Sequence, residues 1–107
     1  MSNLDFTICC TVTFFSKKRR TPPNLNNGKY CPHLVVKGSE QLLGVNFIDG
    51  EDVTFDKQIR ANALPENEAV DYSILQEGTE FLIMEGSAIV GEGIVKEIFQ
   101  HKPFGNK

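Results

Sequence analysis

The side chains best equipped for chemistry are gathered in one place. Ser16 to Lys29 reads SKKRRTPPNLNNGK, with Lys17, Lys18, Arg19 and Arg20 consecutive, followed by two prolines, three asparagines and Gly28. Such a run is a candidate binding surface, and an RNA-binding reading would use Lys17 to Arg20 together with Tyr30 just beyond it. The whole chain carries a formal net charge of -3, so the run is a local patch and not the broad basic face of a general nucleic-acid binder. It shows no strand or helix periodicity and is expected to be a long exposed loop. Connections of ~12–15 residues without structure of their own are uncommon in small domains and often functional. A purely solvated connection is the competing account.

Other reactive groups form no recognisable constellation. Cys9, Cys10 and Cys31 make no Cys-x-x-Cys pair and leave an odd thiol, which fits a reducing compartment. Strand alternation turns Cys10 inward as an apolar filler and Cys9 outward, with no base nearby to activate either. His33 and His101 are distant in sequence and lack metal-ligand spacing. The acidic turn Asp49-Gly50-Glu51-Asp52 does not follow the calcium-loop pattern. The glycine-rich GSAIVGEG of Gly86–Gly93 lacks the Gly-Lys-Ser/Thr ending of a phosphate loop, and no Gly-x-Ser-x-Gly elbow occurs. Neither an enzyme nor a cofactor, GTP included, is expected.

The elements that must position the loop are strands. At 107 residues, 40% hydrophobic and 23% charged, the chain is expected to form a single domain over 1–107. No apolar run approaches the ~18 residues of a membrane span, and the amino-terminal stretch lacks a leader signature, so a soluble cytoplasmic protein without a membrane partner is expected. Leu4 to Phe15 alternates apolar and polar residues. Further strand patterns run from Cys31 to Lys37, from Gln41 to Asp49 and from Lys57 to Leu64, where Pro65 is expected to end the ladder. Thr79 to Phe99 reads as two strands joined at Glu85-Gly86-Ser87, with Gly91 and Gly93 on one face allowing a bend or a close backbone approach. In the acidic stretch 65–78, Val70, Ile74 and Leu75 suggest one short helical turn. About six strands without βαβ alternation favour an antiparallel barrel over a sandwich.

The residues also resemble the carboxy-terminal β-barrel domain, domain III, of bacterial translation elongation factor Tu. Arg19-Arg20-Thr21-Pro22, a loop, and Gly28-Lys29-Tyr30-Cys31-Pro32-His33-Leu34 are similar to the family's Arg-His-Thr-Pro and Gly-Tyr-Arg-Pro-Gln-Phe. FLIMEGSAIVGEGIV, Phe81 to Val95, is similar to Phe-Ala-Ile-Arg-Glu-Gly-Gly-Arg-Thr-Val-Gly-Ala-Gly-Val-Val. The resemblance implies an all-β, six-stranded, closed antiparallel barrel that binds and does not catalyse. It places Arg19, Arg20 and Thr21 in a loop near tRNA, and His33 at a polar position of the same surface. Met84 and Ala88 stand where the family carries arginines, and Glu97 where a lysine is usual, which removes positive charge from tRNA-facing or interdomain surfaces. Without a GTPase domain, GTP-dependent carriage of tRNA is not expected. The leading expectation is a protein-interaction module contacting its partner through Lys17, Lys18, Arg19, Arg20, Thr21, Tyr30 and His33. An RNA- or tRNA-binding module linked to translation is the alternative.

Overall fold

Strict alternation dictates the architecture. In the first strand every second residue is buried, so one face packs inward while Thr7, Cys9, Thr11 and Thr13 face outward. A computed structural model describes residues 5–101, in which the strands are β1 (Phe6–Phe14), β2 (His33–Val36), β3 (Leu43–Gly50), β4 (Ile59–Pro65), β5 (Glu80–Glu85) and β6 (Ala88–Gln100). They close into a six-stranded antiparallel barrel in the order β1-β4-β3-β2-β5-β6, with β6 returning to β1. The expected barrel is present. Leu4, placed by its pattern in the first strand, lies outside the described residues.

The interior is filled by Phe14, Phe47 and Phe81, each fully buried, with Ile8, Leu34 and Leu43 among their neighbours. Closure depends on β6, which pairs with β1 along one edge and β5 along the other. Register shifts at Cys9/Cys10, Phe47/Asp49 and Ile83/Met84 bend the strands around the barrel. Gly91 and Gly93 sit where β6 pairs with β1 and β5 at once. A Cβ on Gly91 would lie 2.5 Å from the Thr13 carbonyl oxygen, and one on Gly93 would lie 2.6 Å from both the Thr11 carbonyl oxygen and Phe81 Cζ. Backbone and aromatic ring occupy the space of the missing side chains. The turn between β5 and β6 consists of Gly86-Ser87 alone, since Glu85 and Ala88 already pair, and Gly86 supplies φ of 60°.

Several boundaries differ from expectation. The β4 ladder ends at Pro65 as expected, but Pro65 itself is its last residue and pairs with Val45. A terminal position tolerates the missing N–H. Regular strand β2 is short, but the Phe47 and Val45 amides donate to the Tyr30 and Pro32 carbonyls and extend the contact. No helix occurs among the described residues. The segment expected to hold a helical turn makes successive turns instead, with the Val70, Leu75 and Thr79 amides donating to the carbonyls of Asn67, Tyr72 and Gln76. The Asn67 and Asp71 side chains accept from the Ala69 and Ser73 amides, so local side-chain bonds compete successfully with helix. Leu75 is buried as its pattern suggests, but Ile74 is 39% exposed and Tyr72 takes the second interior place.

The antiparallel order sends three connections to one end and two, with both strand termini, to the other. The β1–β2 loop, the β3–β4 loop and the β5–β6 turn share one end. The β2–β3 and β4–β5 loops share the other with the start of β1 and the end of β6. Replacing Gly93 by Ala forces backbone or Phe81 to move and should destabilise the barrel by about 1–3 kcal/mol in urea titrations. Gly44→Ala, whose methyl would meet only the His33 ring at 3.7 Å, should stay within about 0.5 kcal/mol of the parent.

Candidate binding surface

The loop between β1 and β2 is exposed along its outer side and fixed along its inner side. Leu25, the one large apolar residue in an otherwise polar run, is buried against the end of the core. Gly50 makes room for it: a Cβ there would stand 2.9 Å from Leu25 Cδ1. The next residue fastens the same point. Asn26 Nδ2 donates to the Gly50 carbonyl at 3.0 Å, while Asn26 Oδ1 accepts from the Gly50 amide at 3.2 Å. Pro23 is also buried. Asn24 and Asn27 each turn back to accept the amide two residues on, the Asx geometry that stabilises tight bends.

At the start of the loop, Asp56 provides another anchor. It adopts φ of 62°, which aspartate tolerates better than most residues, and its carboxylate accepts the Ser16 amide at 3.2 Å. Hydrogen bonding from the Ser16 side chain and then from its amide, with the nearby Lys17 charge, holds its carboxyl below the usual range.

Arg19 forms the third anchor. Its Nε lies 3.0 Å from Glu85 Oε2, its guanidinium carbon stands 5.4 Å from the Tyr30 ring centroid, and Nη1 donates to the Thr21 carbonyl at 3.2 Å. The Tyr30 hydroxyl donates to the same carboxylate oxygen of Glu85. The ring itself meets Phe14 edge-on at 5.9 Å and Phe47 in a stacked arrangement at 5.8 Å. Tyr30 therefore closes this end of the barrel from inside, with Arg19 spread over it and Glu85 joining both to the β5–β6 turn. Burial, and next the Glu85 carboxylate that accepts its proton in a hydrogen bond, push the phenol far above its ordinary value of 10.0.

The seven residues singled out in the sequence thus separate into groups. Arg19, Tyr30 and the Thr21 backbone converge in the anchor. Lys17, Lys18 and Arg20 are exposed beside it, and the ion pairs among the described residues involve none of the three. His33 is exposed at the start of β2, opposite Gly44 and Met84, and no described hydrogen bond or ion pair joins it to the basic run. Leu25, Asn26 and Glu85 are not among those seven, although a lone leucine in a polar loop is a readable sign of an anchor. The remaining geometry offers three cations on a firm platform, suited to a carboxylate or phosphate surface.

Two consequences can be measured. Arg19→Ala should lower stability by about 1 kcal/mol, since it removes a partly shielded ion pair and an aromatic contact, whereas Lys18→Ala or Arg20→Ala should stay within about 0.5 kcal/mol. The pH response follows from the raised Tyr30 phenol and from Cys10, whose thiol burial pushes up to about 12. Both keep their protons in the folded chain where the unfolded chain would lose them. Their stabilisation is complete below about pH 9, the ordinary thiol value, and declines as pH rises beyond it. Urea midpoints should accordingly fall through pH 10–11, and less steeply for Tyr30→Phe.

Compared with protein-family models and with curated proteins, the chain matches none.

Proposed function

We propose that the chain is a non-catalytic binding module of the cytoplasm, resembling the carboxy-terminal barrel domain of elongation factor Tu, and that its partner is a protein. The observation that carries this is the state of the basic loop: Lys17, Lys18 and Arg20 are exposed, while Leu25, Asn26 and Arg19 hold the backbone beneath them. Cations presented from a fixed backbone lose little freedom on binding, so their attraction to an acidic partner is not consumed in ordering the loop.

Tyr30 bears on the choice between protein and RNA. A base-stacking reader needs an exposed aromatic face, but this ring packs between Phe14 and Phe47 with Arg19 over it. RNA would be left with phosphate contacts from a few cations on an acidic chain, which gives weak, salt-sensitive binding. A protein presenting Asp and Glu side chains fits better. In this account GTP is not a ligand and the contact has no chemical step.

The test changes Lys17, Lys18 and Arg20 together to Ala and leaves Arg19 in place. The variant should melt with the parent and lose most capture of an acidic protein partner from native lysate, with association slowed chiefly at low salt. Capture of RNA with a salt slope that shrinks in the variant would instead establish the nucleic-acid alternative. Unchanged capture of the same partner would remove the basic loop from the contact.

A further inference from the structure

The opposite end of the barrel has the opposite charge. The β4–β5 loop, 66–79, carries Glu66, Glu68, Asp71 and Glu77 and contains no Lys, Arg or His. Among the described residues the ion pairs are Arg19–Glu85, Lys37 with Glu80 and Glu92, and Arg60–Glu51, so this loop's carboxylates have no cationic partner there. Asp71 accepts the Ser73 amide at 2.9 Å, which holds its carboxyl below the usual range and keeps it ionised at neutral pH.

Beneath these charges is a groove of about 660 Å³ between the loop, the start of β1 and the end of β6. That is within the ~300–1,000 Å³ typical of ligand sites. Its bottom is formed by Phe6, Tyr72 and Leu75, all buried, with half-buried Val70 and Ile98 beside them. Glu68, Asp71 and Glu77 stand exposed on its sides. The bottom is firmly built. Tyr72 donates its hydroxyl proton to the Gly44 carbonyl and accepts the Glu66 and Asn67 amides at 3.2 and 3.1 Å, while its ring meets Phe6 edge-on at 6.1 Å.

We infer that this groove docks a basic peptide segment of a protein partner, one apolar or aromatic side chain entering between Phe6, Leu75 and Ile98 while flanking Lys or Arg residues reach Glu68, Asp71 and Glu77. The two halves of the site select the same occupant. An anionic segment is repelled by the carboxylates, and a neutral apolar one leaves them without a counter-charge. Lys and Arg satisfy both halves, because their aliphatic stems cover apolar surface while their heads remain at the wet margin. Among the described residues no three His, Cys, Asp or Glu side chains draw together as a metal would require, so the carboxylates act as a spread rim. Nothing in this inference rests on the basic end of the barrel.

Fluorescence anisotropy of the full chain with a labelled Lys-Arg-Phe-Arg-Lys peptide tests it, alongside Lys-Arg-Ala-Arg-Lys and Glu-Glu-Phe-Glu-Glu. The first should bind saturably, the alanine peptide roughly tenfold more weakly, and the acidic peptide not at all. Glu68→Lys with Glu77→Lys alters exposed positions only, so the fold should persist, as amide spectra will show, while affinity for the first peptide falls roughly tenfold or more. Amide shifts on titration should centre on Val70, Gln76 and Ile98. The inference is overturned by no saturation up to about 1 mM, by equal binding of the acidic or alanine peptide, or by indifference to the double substitution. Sedimentation decides the remaining occupant: self-association abolished by the same double substitution would assign the groove to a second copy of the chain and overturn docking of a foreign peptide.

Discussion

The barrel closes because β6 approaches β1 more closely than any side chain would permit. At Gly91 and Gly93 the carbonyls of Thr13 and Thr11 and the ring of Phe81 fill the volume where Cβ atoms would project. This contact allows a strand of thirteen residues to pair closely with two neighbours at once. Closure removes sheet edges, and with them the usual site at which a β protein accepts another strand. What remains for recognition is the outer wall and the two open ends. A six-stranded barrel filled by three fully buried phenylalanines also needs its ends covered, since aromatic rings near a rim would otherwise meet water.

Each end is covered in the same way, by a loop tyrosine whose ring joins the core and whose hydroxyl finds an acceptor. Tyr30 lies on Phe14 and Phe47 and donates to Glu85; Tyr72 lies on Phe6 and donates to the Gly44 carbonyl. A tyrosine suits this position because its body is apolar and its tip is not. The loops differ in what surrounds that shared device. One presents lysine and arginine, the other glutamate and aspartate, so the barrel is electrically polarised along its axis despite its small net charge.

Strand positions were legible because period-two alternation is a direct imprint of a surface with one wet and one dry side. Cys10 inward, His33 outward and the pair Gly91 and Gly93 all followed from it. The loops were less legible, since their order comes from contacts distant in sequence. Arg19 looked like one of four equivalent cations; only the fold brings Glu85 and Tyr30 to it. Tyr72 was hidden by a helical pattern in Val70, Ile74 and Leu75 that lost to hydrogen bonds from Asn67 and Asp71. The groove needs Phe6, Leu75 and Ile98, from three separate parts of the chain, and no local pattern could assemble them.

The interleaving of anchoring and exposed residues within each lid has a physical reason. A loop that is both long and charged would remain disordered unless some of its residues were spent on the core, because ordering each backbone position costs about 1–2 kcal/mol. In the basic loop Leu25, Asn26, Arg19 and Tyr30 provide that ordering. In the acidic loop Tyr72 and Leu75 do so, aided by Asn67 and Asp71. The cations and carboxylates between them are then held outward at little further expense of freedom. Charge alone therefore does not separate the two roles: Arg19 carries the same charge as Arg20 but is part of the lid, whereas Lys17, Lys18 and Arg20 stand exposed beside it.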